Sequence, residues 1–333
     1  MLVKILPLDS KKLSSLILML LAIGSYASLQ IGHVKIDLFA AIISPLDGIT
    51  TPDAIIRWDL RMPRTLMCLI VGFGLGMAGA GLQGFLRNPL AEPSVVGISS
   101  AAALGAVLSI GLGFSTLGLY YTPAFSLGFA AIASWALIKF TSKAASKHSV
   151  ILIGVGISSL SGAFTTLMLS LSENPFAINE IVFWMLGSVT DVSYHHVLMS
   201  APLVMLGSFF LLRAANGLDL LTLGEETATS IGANIPKLRR DILIGTALTV
   251  GSITSVVGIV GFVGLVTPHI VRPFVKHEPG KTLLWTPPIA ALMVLISDIT
   301  IRLLPTASEI KLGVLTALLG TPFFLYLVSK QRN

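Results

Sequence analysis

Charge is scarce in this sequence. Asp, Glu, Lys and Arg make up 11% of its 333 residues, against 54% hydrophobic residues and a mean hydropathy of +0.87. Soluble domains carry about a quarter charged residues, so there is too little charge here to coat a water-facing surface, and a lipid bilayer is the solvent the chain suits. Cysteine is nearly absent. The single Cys68 lies in an apolar run, which excludes an internal disulfide and a thiolate-rich metal site and leaves a buried, inert thiol. Linker-like stretches are missing, so 1–333 reads as one membrane domain. The apolar runs also lack the two-residue alternation of barrel strands. Backbone polar groups in lipid must be satisfied within the segment or barrel, so the expected spans are helices and the fold class is all-α.

What is present is a succession of apolar runs. A span needs about 20 apolar residues. Ten spans are expected, at about 13–29, 64–85, 95–112, 121–140, 149–171, 195–212, 242–257, 258–271, 283–301 and 310–328. The basic start with Lys4, Lys11 and Lys12 has the form of a signal peptide. No small-x-small site leads into a polar mature start, so it reads as the approach to the first span. Residues 32–60, broken by Pro45 and Pro52, read as an outside loop with room for a short surface helix, and 172–194 as a partial helix plus loop. With both ends on the cytoplasmic side, 16 of the 22 basic residues fall inside. That bias supports the ten-span topology and makes the net charge of +6 a topology signal rather than a nucleic-acid patch.

Small residues recur four apart on three spans: Gly72, Gly76, Ala80 and Gly84; Gly154, Ser158 and Gly162; Gly313, Ala317 and Thr321. Such stripes let helix backbones approach closely, and some could instead line a wide pathway. Asp298 is the one acid placed within a span. It suits either proton coupling or an ion pair with Arg302 one turn on, the second being the simpler reading, with Glu309 near the same rim. The six histidines show no metal-ligand spacing with carboxylates or thiols. The stretch PGKT at 279–282 mimics a phosphate loop, but Val275 stands where the first glycine belongs. A nucleotide, if one drives this protein, sits on another chain.

Two polar regions remain. The segment 213–241 is the longest polar stretch of the membrane region, with Thr222–Ile231 read as a short helix stopped by Gly232 and with Pro236 beyond. It suits a soluble partner or an ordinary solvated loop. Arg61, Arg64 and Arg302 fall at the outer rim. They could dock an acidic protein or snorkel toward the headgroups.

The motifs RMPRTL (61–66), GAGLQGFLRNPLAEPSVVGISSAAALGA (79–106), LGEETATSIGAN (223–234), GIVGFVGLVTPHIVR (258–272) and EIKLGVLTALLGTPFFLYL (309–327) follow in order. Together they resemble the FecCD-type permeases, which import iron–siderophores, haem and cobalamin. The likeness covers nearly the whole chain. It implies a type II ABC importer permease of the bacterial inner membrane, paired about a two-fold axis with itself or a related permease and surrounded by lipid. Two cytoplasmic ATPase subunits would hold ATP and Mg, with no cofactor on this chain, and a periplasmic binding protein would deliver the solute. An iron(III)–siderophore is the solute expected, with haem and cobalamin as alternatives. The resemblance further implies that Arg61, Arg64 and Arg302 meet acidic residues of the binding protein. It places the coupling helices within about 218–235, with Leu223, Glu225, Glu226, Thr229 and Gly232 toward the ATPase. The fifth and tenth spans would line the pathway. Asn88 and Leu90 would form the cytoplasmic gate together with Lys147 and His148, a pair that replaces the small hydroxyl residues expected there.

Overall fold

The computed structural model describes residues 10–32, 34–36, 51–141, 147–305 and 309–330. The described residues form helices joined by turns. Six helices are long and apolar enough to cross a membrane, and four shorter apolar helices accompany them. These ten fall where the ten apolar runs lie.

The element order is α1 (Ser10–Gln30), α2 (Pro52–Leu86), α3 (Ile98–Gly111), α4 (Tyr121–Thr141), α5 (Lys147–Leu171), α6 (Pro175–Met185), α7 (Tyr194–Arg213), α8 (Ala215–Leu221), α9 (Glu225–Ser230), α10 (Ile235–Val257), α11 (Val263–Val271), α12 (Pro279–Leu303) and α13 (Leu312–Lys330). The central element is α2. It starts twelve residues before the expected span because Thr51 caps it, accepting a hydrogen bond from the Ala54 amide at 3.3 Å, and Pro52 suits the first turn. One π-turn, Ile56–Arg61, is absorbed without a break. At 1.5 Å per residue the helix is about 52 Å long, well beyond the roughly 30 Å hydrocarbon core. Arg61 and Arg64 therefore sit on a continuous helix rather than in a loop ahead of it.

Close backbone contact holds α2 among its neighbours. Its small-residue stripe faces α12, where Gly72 lies against the backbone of Ala290 and Ala291. On another face, a Cβ at Gly79 would collide with the carbonyl of Gly264 on α11. Only glycine permits that approach. The stripe on α5 also packs, with Gly154 against the Val96 backbone and the Ser158 hydroxyl donating to the Ser94 carbonyl at 3.0 Å, whereas Gly162 faces open space.

Three boundaries differ from the sequence reading. The helix expected over Thr222–Ile231 begins at Glu225, because Gly224 adopts a φ of 100° that no right-handed helix continues. The seventh span begins at Ile235 instead of about 242. Asn234 caps it, accepting from the Lys237 amide at 2.9 Å, and Pro236 stands in its first turn. The eighth begins only at Val263, since Gly258 (φ 73°) and Phe262 (φ 66°) hold the preceding segment out of helical geometry.

Candidate functional site

At one end of the bundle, Asp298 is fully buried and binds two guanidiniums. Arg64 donates through Nε (2.9 Å) and Nη2 (2.7 Å), and Arg302 through Nη2 (2.6 Å). Arg64 also pairs with Glu309. The pairing of Asp298 with Arg302 is the one-turn ion pair that spacing suggests. Arg64, 234 residues away in sequence, is not visible from spacing.

Arg302 and Arg61 are both buried and close the last turn of α1. Arg302 donates to the carbonyls of Ser28 (2.7 Å) and Ile31 (2.9 Å) and to the Ser28 hydroxyl (2.5 Å). Arg61 donates to the carbonyls of Leu29 (3.0 Å), Gln30 (2.6 Å) and Val34 (2.5 Å). A helix end leaves four carbonyls without partners and carries a partial negative charge, so two guanidiniums satisfy both demands. The Thr65 hydroxyl links the halves, lying 2.7 Å from the Ser28 hydroxyl and donating to the Arg61 carbonyl at 2.8 Å. The three rim arginines are thus brought together, with most of their donors engaged inside the protein. Beside them Arg57 is buried, with Nε and Nη1 lacking acceptors among the described residues.

Toward the other end, the loop 87–97 folds back between α2, α5 and α11. The Asn88 side chain accepts from the Leu90 amide at 2.9 Å, forming a tight turn at the expected gate residues. Lys147 and His148 stand in the first turn of α5, and their side chains lie outside the described residues. Deeper in the loop, Glu92 accepts from the Phe262 amide at 2.7 Å and from the Ser94 hydroxyl at 3.2 Å. Phe262 in turn packs onto Gly320 of α13. Gln83 donates to the carbonyls of Gly264 and Leu265 (both 3.3 Å) and accepts from Arg272 Nη2 at 2.5 Å, while His269 Nε2 lies 3.1 Å from the Pro89 carbonyl.

Sequence reasoning assigned no role to Glu92, Gln83, Phe262, His269 or Arg272. Their signal was that all five lie in two of the quoted motifs, 79–106 and 258–272, which the fold lays against each other.

The segment 213–241 presents α9 with Ala228 buried and Leu223, Glu225, Glu226, Thr229 and Gly232 exposed. This puts the expected coupling residues together on an uncovered surface. The Asp219 carboxylate accepts from the Gly280 amide at 2.7 Å, tying the segment to the start of α12 and occupying the amide of the false phosphate loop. α5 and α13 keep broad uncovered apolar faces, including Leu152, Leu160 and Leu167 on the first and Leu318, Leu319 and Leu325 on the second.

Against known proteins, the sequence profile of the FecCD transport family matches residues 19–330. The cobalamin import system permease protein BtuC of Halobacterium salinarum is 35% identical over 295 residues, 86% of this chain and 77% of that protein. The hemin transport system permease protein HmuU of Yersinia pestis is 32% identical over 316 residues, 92% of this chain and 93% of that protein. Among solved structures, an inward-facing chain described as a metal-chelate type ABC transporter superposes with a TM-score of 0.85 at 30% identity, covering 96% of this chain and 99% of that one.

Proposed function

Because this chain belongs to the FecCD transport family, as a membrane-spanning permease subunit of a binding-protein-dependent ABC importer, we propose that it carries an iron(III)–siderophore chelate across the bacterial inner membrane. The observation that carries this reading is the pair of weakly covered spans, α5 and α13. Their uncovered faces carry large apolar residues, joined on α5 by Gly156, Gly162 and Ala163. Such a wall is wide and chemically bland, and it suits a bulky amphipathic solute selected elsewhere. The metal-chelate neighbour and the hemin permease support iron in a chelated form. The cobalamin permease, at similar identity, keeps the second solute class in the test.

In this reading two copies of the chain, or this chain and a related permease, pair across those faces. Two ATPase subunits engage α9 through Glu225, Glu226 and Thr229, flanked by Leu223 and Gly232, and both termini lie on that cytoplasmic side. The loaded binding protein docks on the Arg61–Arg64–Arg302 end, where Arg64 keeps 11% side-chain exposure and its Glu309 partner 19%. A partner carboxylate would exchange with Glu309, while Arg61 and Arg302 hold the platform by fixing α1. The solute passes to a cytoplasmic closure built from Asn88 and Leu90, with Lys147 and His148 beside it. Switching requires that partners bind the two states with different affinity.

The test is uptake of radioactive iron as several ferric siderophores, with labelled haem and cobalamin run alongside, in cells lacking the gene and cells with it restored. One ferric siderophore should lose its uptake without the gene and regain it on restoration. Dependence of haem or cobalamin alone would replace the iron–siderophore assignment.

A further inference from the structure

A cavity of about 600 Å³ opens where α2 ends, α12 begins and the 213–241 segment passes. Its lining includes Arg87, Arg272, His269, His277, Gln83 and Thr222, and none of its lining residues is acidic. Two carboxylates beside the lining are already engaged, Asp219 on the Gly280 amide and Glu278 on Lys281 at 2.6 Å. Arg272 uses one nitrogen on Gln83. Among the described residues, the side chains of Arg87 and His277 have no hydrogen-bond or ion-pair partner. Two guanidiniums and two imidazoles therefore share one concave site whose lining carries no carboxylate.

The backbone adds to the oddity. Arg87 (φ 50°) and His277 (φ 61°) both hold the left-handed conformation, as does Lys276 (φ 54°) between His277 and the preceding turn. Glycine adopts this geometry freely, whereas a residue with a Cβ resists it. At positions that favour glycine, this chain places basic side chains.

We propose that this cavity binds a phosphate-bearing anion, with the Arg87 and Arg272 guanidiniums as charge partners and His277 as a further donor. Arginine presents a planar fork that matches phosphate oxygens, and the volume lies in the range of small-ligand sites. The phosphate comes either from a soluble anion or from a phospholipid headgroup.

The full chain, purified in uncharged detergent, is unfolded thermally with inorganic phosphate against chloride at equal ionic strength. In parallel, nanodiscs containing phosphatidylglycerol are compared with nanodiscs of phosphatidylcholine alone. Phosphate or phosphatidylglycerol should raise the unfolding temperature above its control, and the arm that responds identifies the source. The R87G/H277G double variant relieves two strained positions, so without ligand it should unfold at no lower temperature than the parent. Its affinity for the responding ligand should nevertheless fall about tenfold or more. No shift in either arm, or an equal shift in the double variant, overturns the site.

Discussion

Replacing Asp298 with alanine should destabilise the folded chain by about 3–5 kcal/mol, the usual effect of removing one partner from a buried ion pair. Asp298 is fully buried and accepts three hydrogen bonds from Arg64 and Arg302. Without it, two guanidiniums remain in a site with little access to water. The damage should spread, because Arg302 also closes the end of α1 through Ser28 and Ile31. Asp298→Asn keeps acceptor oxygen but loses the charge, and should fall between the parent and Asp298→Ala. Glu309→Ala, at a more accessible position, should change stability by on the order of 1 kcal/mol or less. Thermal unfolding of the purified proteins in one detergent reads all three. Equal unfolding of Asp298→Ala and Glu309→Ala would mean that the network does not hold α1 in place.

The second large effect concerns Glu92. Its carboxylate accepts from the Phe262 amide, which belongs to the non-helical connection 258–262 between α10 and α11. A hydrogen bond to a charged group contributes about 1.5–3 kcal/mol, so Glu92→Ala should raise the open population of residues 258–262 by tenfold to a hundredfold. Single-cysteine labelling can detect this. Cys68 is buried and is replaced by serine, and a cysteine is placed at Gly261, where an added Cβ meets nothing within 4 Å. Thiol labelling at 261 should accelerate by that factor in Glu92→Ala. It should accelerate much less in Glu92→Gln, whose amide oxygen can still accept from Phe262. Unchanged labelling in the alanine variant would show that the carboxylate does not latch this segment.

These two sites mark where the sequence was readable and where it was not. The ten apolar helices follow from hydropathy and length, and the small-residue stripe on α2 correctly marked a close helix contact. The early start of α2 was hidden because Arg57, Asp59, Arg61 and Arg64 look like loop residues when lipid is the assumed surroundings. Arg61 and Arg64 are tolerated there because α1, Asp298 and Glu309 supply partners, none of them near in sequence. In the sequence Glu92 is one residue of a short loop returning the chain between two spans, with no role of its own. Its burial comes from the loop folding back onto α11, a tertiary event with no periodic signature. The start of α10 is legible in Asn234 and Pro236, but the polar run around them reads as a loop, which places the expected span at about 242.

In the proposed function, ATP on partner subunits drives this permease through the α9 surface. The direct test uses proteoliposomes holding the chain with its ATPase subunits, supplied with the loaded binding protein and the ferric chelate identified by uptake. Accumulation of iron should require ATP, persist when ion gradients are collapsed, and be lost in Glu225→Lys/Glu226→Lys. Accumulation that proceeds without ATP and disappears with the ion gradient would contradict the account.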